Sequence, residues 1–194
     1  MFIISIDGGL GNQMFEYAFY LSMQNCYPNS KIYLDTSMIK ETVHNGYELD
    51  RVFEIHAPMA SLDDVIKYSE YCPPDASKSK IINLLNKIRR CIWGGKQSYI
   101  VQEDSTAYYE NYYHLNELYS YYLRGVWANV KYFAHIKEKI LESFTFPDLK
   151  EEKNRSIAAE IQNSNSISIH FRKGDYVQFG FEILGEEYFL NAMR

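Results

Sequence analysis

The sequence predicts an α/β fold with a parallel sheet, because short apolar strands alternate with helical segments along its 194 residues. The N-terminal region shows this best: an apolar strand at 2–6, a glycine-rich turn, a helix at 14–24 and a strand at 31–35. Such strands usually form a parallel sheet covered by helices on both faces. With 46% hydrophobic and 23% charged residues, the composition is that of an ordinary globular chain.

Helix faces and breaker residues mark the next elements. In the helix at 14–24, one face is predicted to pack on the sheet; it carries Phe15, Ala18, Phe19 and Ser22. Asn45-Gly46-Tyr47 marks a loop. Ser61-Leu62-Asp63-Asp64 has the form of a capping box and opens a helix that runs to about residue 71.

A basic amphipathic helix is predicted at residues 78–93. A helix of this kind can lie on an anionic membrane surface or pack against its own domain. We favour packing on the domain and keep peripheral membrane attachment as the alternative.

The second half of the chain continues the alternation. Strands are predicted at 98–102 and 119–123, joined by a tyrosine-rich connection. A helix follows at 129–144, capped by Asn129, and its inward positions are Val130, Phe133, Ile136 and Ile140. Past Pro147 we predict a helix at 151–162, a strand at 166–171 and a helix at 186–193. The predicted domains are therefore residues 1–150 and 151–194.

Charge and hydropathy narrow the classes of partner. The net charge of −5 argues against nucleic acid, whose binding proteins carry basic patches. No apolar run approaches a membrane span, and the N-terminus lacks the basic start of a signal peptide. Three scattered cysteines fit reduced thiols in the cytoplasm better than a disulfide framework.

The late segment Ile169-His170-Phe171-Arg172-Lys173-Gly174-Asp175 points to an anion site. Residues alternate in the predicted strand, so that His170 and Arg172 share a face at its C-terminal end. Ligands of open α/β sheets bind beyond the carboxyl ends of strands, and a guanidinium grips a diphosphate well. The alternative is a structural ion pair between Arg172 and Asp175, and spacing alone does not separate the two.

The early segment Gly8-Gly9-Leu10-Gly11-Asn12-Gln13-Met14-Phe15 follows similar logic. Backbone N–H groups at a helix start favour an anion or an oxygen-rich ligand. The segment lacks the third glycine of the dinucleotide fingerprint and is not a P-loop. Asn12 either caps the helix or turns its amide towards a cleft. We expect the two segments to meet across a cleft between two α/β units.

The sequence contains no motif typical of a metal site or of a serine hydrolase. The sequence has no H-E-x-x-H and no Asp-x-Asp between strands, and Asp63-Asp64 is explained by its capping box. No G-x-S-x-G occurs either. The residues thus give no positive sign of metal. We expect no metal, and we expect no cofactor.

At these two segments the chain resembles the glycosyltransferase family 11 of α-1,2-fucosyltransferases. That family shows a Gly-Gly-Leu-Gly-Asn-Gln-Met-Phe-x-Tyr-Ala start and a His-x-Arg-x-Gly-Asp strand, which correspond to residues 8–18 and 170–175 here. Residues 45–49, 123–127 and 131–133 also look similar. Lys173 stands where the family often has a second arginine.

The resemblance implies a GT-B-like fold: a Rossmann-like acceptor-side domain followed by a nucleotide-sugar-binding domain. It also implies a GDP-fucose donor, a galactose-type glycan acceptor of surface polysaccharide or lipopolysaccharide synthesis, and inverting, metal-independent transfer. By motif position, the residues implied at the donor site are His170, Arg172, Gly174, Asp175, Gly9, Gly11, Asn12 and Gln13. Arg172 and His170 would act on the departing diphosphate, from the cytoplasm or the inner face of the membrane.

The length of the second domain bears on activity. A GT-B nucleotide domain needs several more βα units than residues 151–194 supply, so we expect a truncated chain with little or no activity alone. Two alternatives remain: transfer from another nucleotide sugar, and a non-enzymatic fragment that binds carbohydrate through its tyrosine-rich segment. A nicotinamide-dependent enzyme ranks below both.

Overall fold

The computed structural model describes residues 1–39, 45–69, 88, 99–170, 174, 177, 180 and 184–193. The chain divides into two compact units, Met1–Pro147 and Asp148–Arg194. The predicted basic helix at 78–93 falls outside the described residues except for Ile88.

A four-stranded parallel sheet forms the centre of the first unit. Its strands are β1 (Phe2–Ser5), β2 (Ile32–Asp35), β3 (Tyr99–Val101) and β4 (Tyr121–Arg124), in the order β2-β1-β4-β3. In the register, Ile4 of β1 lies between Leu34 of β2 and Leu123 of β4. The predicted parallel α/β class and all four strands of this unit are confirmed, each within two residues of its expected bounds.

Helix α1 (Leu10–Cys26) connects β1 to β2 and covers one face of the sheet. It begins four residues before the predicted start, because Gly9 adopts the extended conformation of an N-cap and the chain becomes helical immediately afterwards. Ala18, Phe19 and Ser22 are buried as predicted. Phe15, predicted on the same face, is 38% exposed, and its ring centroid lies 6.1 Å from that of Phe133.

The core lies on both faces of the sheet because side chains of each strand alternate. On the α1 face, Phe19 stacks on Trp127 with ring centroids 4.1 Å apart. The opposite face holds a smaller cluster of Ile3, Tyr122 and Val65. Val65 belongs to α3 (Leu62–Tyr68), so helices cover both faces of the sheet as predicted.

The remaining elements of the first unit are short. Helix α2 (Leu49–Phe53) follows the predicted loop at 45–47. The capping box of α3 is confirmed, since the Asp64 backbone N–H donates to Ser61 Oγ at 3.2 Å. A 3₁₀ helix at Glu110–His114 lies in the tyrosine-rich connection.

The continuous helix predicted at 129–144 is wrong. Asn129 does cap a helical turn, but the chain forms two 3₁₀ turns, Val130–Tyr132 and Ala134–Ile136, before α4 (Lys137–Ser143). Val130, predicted inward, is 65% exposed, and Tyr132 is fully buried in its place. The Tyr132 hydroxyl bonds backbone groups of residues 107 and 109, and these bonds fix it inside the core at the expense of regular helix geometry.

The second unit contains α5 (Glu152–Gln162) and α6 (Glu186–Ala192), close to their predicted bounds. The strand predicted at 166–171 is not formed over residues 166–170, where no described strand pairs with it. A strand requires hydrogen-bonding partners on a neighbour, and Ile167 is accordingly 81% exposed.

Candidate functional site

The carboxyl edge of the sheet carries the first predicted motif. Past β1 the chain runs through Asp7, Gly8 and Gly9, here called the glycine turn, into α1. Gly8 has φ +75°, a conformation that favours glycine. A Cβ at this position would also lie 2.6 Å from Asn12 Nδ2, so the turn depends on glycine for two reasons.

The Gln13 side chain joins the glycine turn to the loop at residues 46–48 by hydrogen bonds. Its Nε2 donates to the Gly8 and Gly46 carbonyl oxygens, both at 2.9 Å, and its Oε1 accepts from the Glu48 backbone N–H at 2.8 Å. The side chain is fully buried. In the structure the Gln13 amide is satisfied by protein groups and joins the glycine turn to the 46–48 loop; the expectation that Gln13 lines the donor cleft stays a prediction.

Asn12 is not the helix cap. Gly9 occupies the N-cap position, and Asn12 lies inside the first turn of α1 with its amide over Gly8. Asn12 and Gly11 are both exposed. No described side chain caps α1, so the N–H groups of its first turn face outward without an intrahelical partner. This end of α1 therefore has the character of an anion or oxygen-atom site.

A buried carboxyl group lies under the glycine turn. Glu16 Oε2 accepts the Asp7 backbone N–H at 3.0 Å, and Asp7 Oδ1 accepts the Gly8 N–H at 2.7 Å. Burial raises the pKa of Glu16 to about 9, against the opposing effect of the Asp7 N–H bond. Glu16 is thus neutral near pH 7, and the glycine turn carries one negative charge, on Asp7.

The strand order places a cation beside this turn. The chain leaves β1 towards β2 on one side, while β4 and β3 lie on the other, so the order switches between β1 and β4. Ligands of parallel sheets bind at such a switch point, beyond the carboxyl ends of the strands. Arg124 ends β4 there. A side-chain hydrogen bond with Tyr99 raises the pKa of Arg124, and the negative charge of Asp7 raises it further.

Arg124 keeps its charge available to a ligand. Within the residues that the structure describes, it forms no salt bridge with a carboxylate. Its side chain is half-buried at the rim of the sheet. An arginine here was not among the predicted site residues.

A tight turn after Arg124 fixes the end of β4. Gln102 Oε1 accepts the backbone N–H groups of Val126 and Trp127, at 3.1 and 2.8 Å. Gly125 permits this approach, since a Cβ there would lie 2.6 Å from the Gln102 Cβ. Trp127 adopts a left-handed φ of 50°, a strained conformation that these bonds and the buried ring maintain.

The second predicted motif lies in the second unit. His170 and Gly174 are exposed. Arg172 and Asp175 fall outside the described residues. The meeting of this motif with the glycine turn stays a prediction, as does the assignment of the two domains to acceptor and donor.

The described ranges contain neither a cluster of metal ligands nor a helix able to span a membrane. There, no group of three or more His, Cys, Asp or Glu side chains is arranged to hold a metal ion. In the same ranges no helix has the length and apolarity needed to cross a membrane.

The residues that sequence analysis missed are Asp7, Glu16 and Arg124. Arg124 could have been found from its place at the end of a strand. It was missed because the predicted strand ended at residue 123, one residue before the arginine. Recognising Asp7 and Arg124 as neighbours also requires the strand order, which local patterns do not encode. Glu16 was hidden because a glutamate in a helix is ordinarily exposed.

Comparisons with known proteins agree with one another. A family model described as glycosyl transferase family 11 matches residues 1–193. The chain is 28% identical over 200 residues to an alpha-1,2-colitosyltransferase of Escherichia coli, covering 99% of this chain and 62% of that relative. The chain thus spans less than two thirds of the length of this curated relative. No solved structure matches it significantly.

Proposed function

Since the chain belongs to glycosyl transferase family 11, we propose that its protein transfers L-fucose from GDP-fucose to the 2-hydroxyl of a galactose-type acceptor. The family match and the activity named for the E. coli relative support sugar transfer. The structural observation that carries the proposal is the arrangement at the switch point: an uncapped start of α1 beside Arg124, which has no described carboxylate partner.

The chemistry of the transfer explains the need for fixed positive charge. The bond between fucose and the β-phosphate oxygen breaks, the acceptor oxygen bonds the anomeric carbon from the opposite side, and the acceptor hydroxyl releases its proton to solvent. Negative charge grows on the departing GDP, so cations already in place stabilise the transition state more than the bound substrate. The configuration inverts, and cationic side chains take the part that a metal plays in other transferases.

Individual roles follow from residue type. Arg172 and His170 bind the donor diphosphate, while Gly174 and Asp175 shape the turn that follows them. At the glycine turn and the first turn of α1, Gly9, Gly11 and Asn12 offer backbone and amide N–H groups to substrate oxygens. Arg124 adds a guanidinium at the end of β4, and Gln13 acts as a positioning residue for the turn.

The wider setting belongs to the same proposal. Residues 1–150 form the acceptor-side domain and residues 151–194 begin the nucleotide-sugar-binding domain of a GT-B fold. The protein works in the cytoplasm or on the inner face of the membrane, in surface polysaccharide or lipopolysaccharide synthesis. Its partners are a nucleotide-sugar donor and a glycan acceptor.

A second donor is favoured by a specific observation. The E. coli relative, of which this chain covers 62%, is named a colitosyltransferase. Colitose is L-fucose without its 3-hydroxyl. Discrimination between the two sugars rests on one hydroxyl, which a site built to bond it can read strongly. Competition between GDP-fucose and GDP-colitose in one reaction distinguishes these donors, because the products differ by one oxygen atom in mass.

The test is a transfer assay on the full gene product, with GDP-fucose, a β-galactoside acceptor and product analysis by mass spectrometry and NMR. We expect an α-1,2-linked product. Removing the charge with Arg172→Ala should lower kcat by about 100-fold or more, as loss of a transition-state donor does. Arg124→Ala should lower kcat/KM by about tenfold.

A matched control uses another arginine of the first unit. Arg51 of α2 is largely exposed, and its one ion pair among the described residues is with Glu48, the residue before the helix, so Arg51→Ala should leave turnover unchanged. Equal losses in Arg51→Ala and Arg124→Ala would contradict a role for Arg124. Absence of transfer from every GDP- and UDP-sugar, with a folded protein, would overturn the proposed function.

A further inference from the structure

A pocket of about 290 Å³ lies beside β3, away from the glycine turn. Strand β3 and the two residues after it form one wall, and the segment from Tyr109 to Tyr112 forms the other. The lining consists of Ile100, Val101, Gln102, Glu103, Tyr109, Asn111 and Tyr112. This size lies just below the range of about 300–1,000 Å³ for small-molecule sites, and it suits a ligand of one or two rings.

The lining divides into apolar and polar parts. Ile100, Val101 and the half-buried ring of Tyr109 give apolar surface, and Tyr112 closes the floor. Glu103 and Asn111 are exposed at the rim, and within the described residues neither side chain makes a hydrogen bond or an ion pair. A carboxylate can accept two hydroxyl groups, and an amide can both donate and accept.

This combination matches one chemical class of ligand. A pyranose ring has an apolar face of C–H groups, which packs on an aromatic side chain, and a rim of hydroxyl groups, which bond carboxylates and amides. The charge of the pocket sets a further condition. Glu103 presents a carboxylate at the rim, so a neutral sugar is favoured over an acidic one.

The position of the pocket connects it to the reaction. β3 is two strands from β1 in the sheet, and all strands are parallel, so the pocket and the glycine turn lie along the same carboxyl edge. Two strand spacings amount to about 10 Å, a separation that linked sugar rings can bridge. The Gln102 side chain, which lines the pocket, also fixes the turn after Arg124.

We propose, resting on the sugar-transfer function above, that the pocket beside β3 binds a neutral pyranose ring of the acceptor glycan, one or two sugars away from the residue that is modified. The pocket is an acceptor subsite that selects extended neutral glycans over single sugars and over uronic acids.

The binding test uses methyl β-galactoside and the corresponding methyl β-galacturonide, which differ only at C6. Titrations of the isotope-labelled protein are followed by NMR at the amides of Glu103 and Asn111. We expect the galactoside to bind about fourfold more tightly than the galacturonide because the Glu103 carboxylate repels the uronate. Glu103→Gln should remove this preference, and Asn111→Ala should weaken both sugars about fivefold.

Control variants change the same residue types outside the pocket. Glu110 and Asn116 lie in the same connection and are exposed but do not line the pocket. Glu110→Gln and Asn116→Ala should leave both affinities unchanged. Shifts absent from the pocket amides, or equal effects of the pocket and control variants, would overturn the subsite.

Transfer kinetics separate this inference from the proposed function. With a trisaccharide acceptor, Asn111→Ala should raise KM about fivefold and leave kcat unchanged, and with a monosaccharide acceptor it should change neither. Turnover that is indifferent to Asn111 with both acceptors overturns the subsite while the transferase proposal stands. Sugar binding that is weakened about fivefold in Asn111→Ala, in a protein that transfers no sugar, supports the pocket and overturns the transferase proposal.

Discussion

Replacing Glu16 with glutamine tests the electrostatics beneath the glycine turn. The side chain is 1% exposed, and its Oε2 accepts the Asp7 backbone N–H at 3.0 Å. Burial opposes ionisation and raises the pKa of the carboxyl from 4.5 to about 9. The N–H bond from Asp7 acts in the other direction, and the Asp7 charge adds to the rise.

The size of the effect follows from proton linkage. Between pH 4.5 and about 9, the folded protein holds a proton on Glu16 that the unfolded chain releases. The stability contributed by this group is therefore complete below pH 4.5 and is lost progressively as the pH rises to about 9. The slope is about 1.4 kcal/mol per pH unit, or about 2.7 kcal/mol between pH 6 and pH 8.

Glutamine has a similar shape and cannot ionise, so Glu16→Gln should abolish this slope. The assay is urea denaturation of both proteins at pH 6, 7 and 8, and the quantity is the difference in their free energies of unfolding. We expect this difference to grow by about 1.4 kcal/mol per pH unit in favour of the variant. The exposed Glu110 offers a control, since Glu110→Gln should give a difference that does not change with pH. A constant difference for Glu16→Gln would refute the claim that Glu16 is protonated in the folded state.

Three further predictions concern the stability of the same region, all measured by urea denaturation. Gly8→Ala should destabilise the fold by about 1–3 kcal/mol, because φ is +75° and the new Cβ meets Asn12. At Gly11 a Cβ would meet nothing within 4 Å, so Gly11→Ala should be neutral or stabilising. A larger loss of stability in Gly11→Ala than in Gly8→Ala would contradict the described turn. Gln13→Ala should cost about 3 kcal/mol, since it leaves three backbone groups without their hydrogen bonds. Gln24→Ala loses one half-buried hydrogen bond to a tyrosine and should cost less than about 1 kcal/mol; similar costs for the two variants would show that the Gln13 bonds do not stabilise the turn. Tyr122→Phe should cost about 1–2 kcal/mol by removing the 2.6 Å bond to Asp35, and an unchanged urea midpoint would exclude that bond as a stabilising contact.

Local patterns were sufficient for most of the fold. Apolar strands bounded by turn residues and a capping box are short-range signals, and the strands of the first unit and α3 formed as these signals indicate. The helix at 129–144 failed for a reason outside its own sequence. Its apolar spacing fits a helix, but the Tyr132 hydroxyl bonds backbone groups about twenty-five residues away in sequence, and tertiary contacts of this kind override local preference.

The candidate site was predicted only in part. The glycines were recognised by type, and Gly8 does need its special backbone conformation. The role of Gln13 was not recognised, because its partners at residues 46 and 48 become neighbours only in the folded chain. Arg124 depends in the same way on strand order, a property of the whole sheet.

The three hydrogen bonds of the Gln13 side-chain amide have a consequence for loop engineering. A single side chain joins the turn after β1 to the backbone at positions 46 and 48. A loop transplanted from another family member at this place would have to present a carbonyl at position 46 and an N–H at position 48 in the same geometry. A proline at position 48 would remove that N–H, and chimaeras that ignore this requirement would disturb the glycine turn at the carboxyl edge of the sheet.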